Sequence, residues 1–191
     1  ENVLAVEVDS TERKDIPPFG REVDYLTFGG IYRDVNLRFT GDTYIDNVFA
    51  RGVDVTSEKR RLNVTVFLSE IADATSPLEI TVELFDGDRS IEKQDRKLLF
   101  PTNQPNIFSL DKLSGIKLWD IDNPNLYRVR VELYNNGNLF DRFETRVGFR
   151  EAKFTADGFF LNGKPLKLRG LNRHQTFPYI GQAAPARLQK R

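Results

Sequence analysis

The chain of 191 residues contains no cysteine, no methionine and a single histidine. Without cysteine it cannot form a disulfide bond or offer a thiolate ligand, and this leaves its compartment open. With one histidine and no thiolate, the usual ligand sets of a zinc site are missing. We therefore expect no metal and no cofactor in this chain.

An excess of charge of either sign is also missing. Lys and Arg number 28, Asp and Glu also number 28, and the formal net charge is +0. No net field therefore attracts nucleic acid or an anionic membrane surface. No apolar run approaches the roughly 20 residues of a membrane-spanning helix, and no secretory signal is apparent in this stretch. The sequence predicts neither nucleic-acid nor membrane partners and leaves localisation open.

A helical period is absent from most of the chain, and period-two alternation takes its place. In residues 62–68, 78–84 and 127–133, apolar and polar side chains alternate as in half-buried strands. Further predicted strands are residues 3–8, 31–39 (with Ile31, Val35, Leu37 and Phe39 as packing residues), 45–55, 91–100, 106–110 and 139–147. Short strands at this spacing favour an all-β fold, an antiparallel β-sandwich of immunoglobulin type.

Two Asn-Gly pairs predict tight hairpin turns, because both residue types tolerate positive φ. Asn136-Gly137 follows the cleanest alternating strand, and Asn162-Gly163 joins residues 159–161 to residues 165–168. Beyond this hairpin, residues 184–191 predict the start of a helix with Pro185 near its first turn.

The hairpin leads into a polar cluster that contains the only histidine. Asn172, Arg173 and His174 follow a short strand directly, and strand ends are frequent positions for catalytic and binding groups. An isolated His beside an Arg is also common in loops whose polar groups are simply satisfied. The pattern alone leaves both interpretations open.

Four motifs in this order resemble glycoside hydrolase family 2, the β-galactosidase, β-glucuronidase and β-mannosidase group. They are Gly-Gly-Ile-Tyr-Arg-Asp-Val at 29–35, Val-Gly-Phe-Arg-Glu at 147–151, Leu-Asn-Gly-Lys-Pro at 161–165 and Arg-Gly-Leu-Asn-Arg-His at 169–174. The resemblance spans nearly the whole chain. It implies a segment of a longer enzyme, and the matches at residues 148–151 and 172–174 favour a galactosidase.

The resemblance also implies how the chain is divided. Residues 1–41 would be the end of a sugar-binding jelly-roll domain, with its remnant strands at the N-terminus. Residues 42–149 would be the immunoglobulin-like sandwich, and residues 150–191 the hairpin and the start of an (α/β)₈ catalytic barrel. A barrel takes roughly 250 residues, so the two catalytic glutamates would lie outside this chain. A divalent metal in that barrel and a homo-oligomeric parent stay open.

By the same resemblance, four residues would serve the sugar subsite. His174 would contact the sugar, Arg173 and Asn172 would shape the subsite, and Asp9 would reach it from the sugar-binding domain. Many family members have Glu where Gln175 stands, so the preference among galactose, glucuronate and mannose is not fixed. The expected partner is a β-galactoside or a related sugar.

The single tryptophan, Trp119, allows two interpretations. Its ring could be a platform for a sugar, because aromatic faces pack on apolar sugar faces, or it could cap the sandwich core. The structural role is favoured, and the family resemblance agrees with it. A stand-alone immunoglobulin-like module that binds glycans or mediates adhesion is the alternative function.

Overall fold

The computed structural model describes residues 3–11, 13–15, 28–69, 77–99, 104–173 and 176–189. The chain forms two compact units. Phe39–Leu168 make up the larger one, and Glu1–Arg38 together with Arg169–Arg191 make up the smaller one. Within the described ranges, no helix has the length and apolar character needed to cross a membrane.

The larger unit is a β-sandwich with a small third sheet. One sheet has the order β1-β2-β5 and the other the order β4-β3-β6-β7, with every pair antiparallel. The third sheet, β10-β9-β8, is formed by the segment that follows. The strands are β1 (Ile45–Val53), β2 (Arg61–Leu68), β3 (Leu78–Asp86), β4 (Arg89–Leu98), β5 (Asn106–Leu110), β6 (Tyr127–Asn135), β7 (Asn138–Val147), β8 (Ala152–Thr155), β9 (Gly158–Leu161) and β10 (Lys164–Pro165). The predicted all-β, immunoglobulin-like sandwich is confirmed.

The core lies between the two larger sheets, where the alternation of the sequence predicts it. Side chains of both inner faces are fully buried in one cluster: Leu62, Val64 and Val66 of β2, Ile80, Val82 and Leu84 of β3, and Val129, Val131 and Leu133 of β6. Deleting a buried aliphatic side chain costs about 2–5 kcal/mol, so this cluster dominates the stability of the unit.

Tyr127, the first residue of β6, ties the core to the loop before it. Its ring meets Phe149 edge-on, with the centroids 5.4 Å apart, and its hydroxyl accepts a hydrogen bond of 2.7 Å from the backbone N–H of Lys117. Immunoglobulin-like sandwiches use a tyrosine at this corner in the same way.

The turns follow the sequence closely. Asn136 and Gly137 have φ of 48° and 78°, and Asn162 and Gly163 have φ of 51° and 75°. Two consecutive residues with positive φ make a type I′ turn, which suits the twist of a hairpin. Both predicted hairpins are confirmed. Strand β8 was not predicted, because all four of its residues are exposed and no alternation marks it.

The smaller unit departs from the predictions. Residues 3–11 and 28–38 contain no strand, so the strands predicted at 3–8 and 31–39 are wrong. The expected packing residues are exposed as well: Ile31 by 59%, Val35 by 76%, Leu37 by 78% and Phe39 by 88%. Alternation marks a strand only where a partner accepts its backbone hydrogen bonds. The helix predicted near the end is present as one turn, α1 (Ala186–Gln189), directly after Pro185.

One flank of the sandwich is closed by side chains. Strands β4 and β5 are the outer strands of opposite sheets. Gln94 donates to the backbone oxygen of Ser109 at 2.8 Å and Arg96 to that of Ile107 at 2.8 Å. Glu92 accepts from the backbone N–H of Lys112 at 2.8 Å. Alternate residues of β4 thus bond two carbonyl groups of β5 and one N–H group of the segment just after it.

We expect Gln94→Ala to lower the free energy of unfolding by about 1 kcal/mol, because the Ser109 carbonyl loses its partly buried donor. Urea denaturation at pH 7 measures the change. Lys97→Ala is the matched control, since Lys97 is an exposed residue of the same strand and surface substitutions of this kind stay within about 0.5 kcal/mol. Equal stabilities of the two variants would contradict a stabilising role for the closed flank.

The outer face of the β3-β6-β7 sheet carries a charged network instead of an open polar surface. Arg128 and Arg130 lie over the Phe85 ring, 4.6 and 4.8 Å from its centroid, and both bind Glu144. Hydrogen bonds from Arg130 are the main reason that the pKa of Glu144 lies below its usual value.

Farther along this face Glu132 is only 8% exposed. Arg142 and Tyr134 cover it. Arg142 donates at 2.8 Å and the Tyr134 hydroxyl at 2.7 Å. Burial opposes ionisation of this carboxyl group, but these two hydrogen bonds and the charge of Arg142 outweigh it, so its pKa is lowered.

The lowered pKa of Glu132 predicts that the fold becomes less stable in acid. A carboxyl group whose pKa is lower in the folded state stabilises the fold at pH values above its pKa in the unfolded state, about 4.3. This stabilisation is lost as the pH falls through the pKa of the folded state. Between pH 7 and pH 3 we expect wild type to lose about 1–2 kcal/mol more than Glu132→Gln, because the variant has no ionised group to protonate. Urea denaturation across this range tests it.

Glu58→Gln is the control for this experiment, since Glu58 lies exposed in the loop between β1 and β2. Its pH profile should match that of wild type. If the stability of Glu132→Gln falls with pH as steeply as that of wild type and Glu58→Gln, Glu132 does not contribute to the acid sensitivity.

Candidate functional site

The polar segment after the hairpin holds two of the expected subsite residues in exposed positions. Asn172 and Arg173 are both exposed. Arg173 Nη2 donates a long hydrogen bond of 3.4 Å to the Gln189 side chain. His174 lies outside the described residues, so its predicted role stays a prediction.

Asp9 is the fourth expected subsite residue, and it is exposed too. Its Oδ1 accepts the Thr11 backbone N–H at 2.9 Å. Hydrogen bonds from the hydroxyl and backbone of Thr11 lower the pKa of Asp9, so this side chain is an anion at neutral pH. Among the described residues, no hydrogen bond joins Asp9, Asn172 and Arg173 to one another.

The Trp119 loop, near the hairpin, is held by hydrogen bonds within its own segment. Asp120 Oδ1 accepts the backbone N–H groups of Asp122 at 2.9 Å and of Asn123 at 2.7 Å. Asn125 Nδ2 donates to the Leu118 carbonyl at 2.9 Å, and Trp119 forms an isolated bridge with Pro124. Such side-chain bonds to the local backbone fix a turn without a strand partner.

Trp119 is only partly exposed, and its ring is in contact with other side chains. The Arg150 guanidinium lies over the ring, 4.8 Å from its centroid. The Trp119 Cβ and Cδ1 lie 2.9 and 3.0 Å from where a Cβ on Gly148 would be, so the absence of a side chain at 148 makes room for the tryptophan. These contacts support the structural role of Trp119 and leave less of its ring for a sugar.

Asn162, in the hairpin turn, connects three parts of the chain. Its backbone N–H donates to the Glu151 carbonyl at 2.8 Å, and its Oδ1 accepts the Glu151 N–H at 2.9 Å. Its Nδ2 donates to the Trp119 carbonyl at 2.9 Å. Since the Trp119 N–H in turn donates to the Phe149 carbonyl at 2.9 Å, hairpin, loop and the end of β7 form one junction.

Two cavities flank this junction inside the larger unit. The larger, about 640 Å³, includes Arg51, Arg146, Arg150, Asp54 and Glu151 in its lining. Its acids are paired, Asp54 with Arg61 and Glu151 with Lys153, each at 2.8 Å.

The smaller cavity, about 430 Å³, lies between the Trp119 loop and the hairpin. Asp120, Asp122, Asn123, Asn162 and Lys164 provide the polar part of its lining. The backbone N–H of Asn123, with that of Asp122 and the charge of Lys164, holds the pKa of Asp120 below its usual value despite partial desolvation.

The carboxyl groups with shifted pKa values are poor proton donors. In the described part of the chain these are Asp9, Asp15, Asp120, Glu132 and Glu144, and all five values are lowered. A glycosidase needs one carboxylic acid whose pKa is raised. Within the same ranges, no group of three or more acidic or imidazole side chains converges to hold a metal ion.

Comparison with known sequences identifies the family. The profile described as "Glycosyl hydrolases family 2" matches residues 43–150. The chain belongs to this family. A β-galactosidase of Thermoanaerobacterium thermosulfurigenes is 43% identical over 192 residues, which are 100% of this chain and 27% of the relative. A β-glucuronidase of Bacteroides fragilis is 31% identical over 95% of the chain and 27% of the relative.

Solved structures of family 2 members are similar to this chain. β-Glucuronidase 2 of Bacteroides uniformis, in complex with a covalently bound cyclophellitol-6-carboxylate aziridine, matches with a TM-score of 0.79 at 31% identity, over 96% of this chain and 23% of that one. The chain thus spans about a quarter of the length of the relatives it matches.

The junction of Asn162 with Trp119 and Glu151 was not foreseen from the sequence. Only the Asn-Gly pair pointed to Asn162, and it pointed to a turn. The hydrogen bonds of the side chain reach 11 and 43 positions along the chain, which no local pattern records. Arg150 belonged to a recognised motif, but its place over Trp119 carried no separate signal.

Gly148→Ala should lower the free energy of unfolding by about 1–3 kcal/mol, because the new methyl group would overlap Trp119 and overpacking costs that much. Trp119 is the only tryptophan of the chain, so its fluorescence during urea denaturation reports the change directly. Gly41→Ala is the control, since its nearest atom would be 3.8 Å away. A Gly148→Ala variant as stable as Gly41→Ala would show that the loop yields without cost.

Proposed function

We propose that this chain is a non-catalytic part of a retaining glycoside hydrolase of the β-galactosidase type, which releases terminal β-galactosides. The observation that carries the proposal is the 43% identity to a β-galactosidase over the full length of the chain. The lowered pKa values of the shifted carboxyl groups support the non-catalytic assignment, because the acid of this reaction must hold a proton at working pH.

In this proposal the chain contributes to three domains of the enzyme. Residues 1–41 belong to the sugar-binding domain, residues 42–149 form the immunoglobulin-like support, and residues 150–191 open the catalytic barrel. The barrel, of roughly 250 residues, would bring the two glutamates, about 5–5.5 Å apart as a retaining mechanism requires. In the whole enzyme the sandwich would pack on the parts of the barrel and sugar-binding domains that this chain does not include.

The chain's own contribution to the sugar subsite is Asn172, Arg173 and His174, with Asp9 from the first segment. The exposure of Asn172, Arg173 and Asp9 supports this, because a side chain must be free to reach a sugar hydroxyl. Asp9 is held as an anion and would accept a hydrogen bond from a sugar hydroxyl. His174 would stabilise charge that develops in the transition state.

The alternative function, a stand-alone module that binds glycans, depended mainly on Trp119. A stacking platform needs an open ring face, whereas Arg150 lies on this ring and Gly148 is shaped to receive the side chain. These contacts favour the enzyme part over the binding module.

We expect the 191-residue chain alone to release no nitrophenol from a nitrophenyl β-galactoside above the buffer rate. We expect the full-length protein to do so, and His174→Ala in it to lower kcat/KM about 10²–10³-fold, as loss of one transition-state contact does. Nitrophenyl β-glucuronide and β-mannoside, assayed in parallel, determine the sugar preference.

Gln189→Ala in the full-length protein is the matched control, because it removes the contact of Arg173 with Gln189 and leaves the imidazole in place. Its kcat/KM should stay within a few-fold of wild type. Turnover by the 191-residue chain alone would overturn the non-catalytic assignment, and a His174→Ala variant with wild-type kcat/KM would overturn the role of His174.

A further inference from the structure

The two Asn-Gly turns of the chain have the same backbone but different side-chain surroundings. Their φ values differ by only a few degrees, 48° and 78° at Asn136-Gly137 against 51° and 75° at Asn162-Gly163. Asn136 is exposed. Asn162 is half-buried, and both polar atoms of its side chain are hydrogen-bonded. The turn geometry alone therefore does not explain the bonds of Asn162.

The two side-chain bonds of Asn162 are directed at different segments. The amide oxygen accepts the N–H of Glu151, directly before β8, and the amide nitrogen donates to the carbonyl of Trp119. The asparagine amide offers both an acceptor and a donor and tolerates positive φ. Aspartate keeps the acceptor without the donor, and glycine keeps only the backbone.

In the described part of the chain, no strand pairing joins the β8-β9-β10 sheet to the two larger sheets. Within the small sheet, β9 pairs with β8 over four residues and with the two residues of β10. Leu161, beside Asn162, is the buried side chain of β9. The turn at Asn162 is hydrogen-bonded to the Trp119 loop, while the chain continues from β10 through Leu166, whose N–H donates to the Phe159 carbonyl at 2.9 Å, to Leu168.

We propose that Asn162 is a positioning residue: its side-chain amide holds the β9–β10 hairpin to the Trp119 loop and to Glu151, in the segment between β7 and β8. It thereby fixes the place where the chain leaves the sandwich unit, at Leu168. This deepens the proposed function and rests on it, since the subsite residues Asn172, Arg173 and His174 follow within six positions. A hairpin free to tilt would deliver them with a spread of positions, and misplacement by about 1 Å costs up to 10²-fold in rate.

The test compares Asn162→Gly with Asn136→Gly in the full-length protein. Both substitutions keep the positive φ and the Gly that follows, and only the first removes hydrogen bonds of a side chain. Hydrogen exchange followed by mass spectrometry, on peptides covering residues 149–155 and 159–168, reports the junction directly. We expect exchange in these peptides to be about tenfold faster in Asn162→Gly, and unchanged in Asn136→Gly.

Steady-state kinetics with the best nitrophenyl glycoside provide the second measurement. At a temperature where both variants are fully folded, we expect kcat of Asn162→Gly to fall about tenfold with KM changed less than twofold, and Asn136→Gly to match wild type. Asn162→Asp, which keeps the acceptor for Glu151, should protect the peptide 149–155 while kcat stays low. A residue that served stability alone would lower the melting temperature and leave kcat unchanged.

Equal rates of hydrogen exchange in the two glycine variants would show that the side chain of Asn162 does not hold the hairpin in place. Faster exchange in Asn162→Gly with wild-type kcat would overturn the positioning role. A wild-type protein that hydrolyses none of the glycosides would contradict the proposed function instead, and the exchange measurement would still decide whether Asn162 holds the hairpin.

Discussion

Burial of two apolar sheet faces against each other is the constraint from which the rest of this structure follows. Strands β2, β3 and β6 each place every second side chain into one cluster, and no hairpin of this size is stable in water without such a partner. The tyrosine corner, the Trp119 loop and the terminal hairpin are all attached to this framework by hydrogen bonds. Polar bonds add about 1 kcal/mol each, so they decide where segments lie, whereas the apolar cluster decides whether the sandwich forms.

The sequence was a reliable guide wherever one local rule was sufficient. Alternation located β2, β3 and β6 to within about two residues, and Asn-Gly located both type I′ turns. It failed at residues 3–8 and 31–39, which are exposed and form no strand. The alternation of a strand can be read from the local sequence. Its backbone hydrogen bonds need a partner strand, and the local sequence does not identify that partner. Glu132 shows the complementary limit, since its burial depends on Arg142 from the adjacent strand.

The sequence predicted which residues belong to the candidate site. It did not predict how they are arranged in space. Motifs identified Asn172, Arg173 and His174, and the pattern of residues 159–168 gave the hairpin before them. What holds that hairpin, the bonds of Asn162 to Glu151 and Trp119, arises only when distant segments meet. Family motifs thus mark both kinds of position: residues that would meet the sugar, and residues such as Gly148 and Asn162 whose roles lie in packing and turn geometry.

The closed flank between β4 and β5 has a consequence for the behaviour of the molecule in crowded solution. An exposed strand edge is a template on which another polypeptide can add a strand, the first step of aggregation. Gln94 and Arg96 occupy two carbonyl groups of β5 that such a strand would need, and Glu92 occupies the N–H of Lys112 just after it. These side chains would have to be displaced before another strand could pair there. The folded sandwich therefore resists strand addition at its β5 edge.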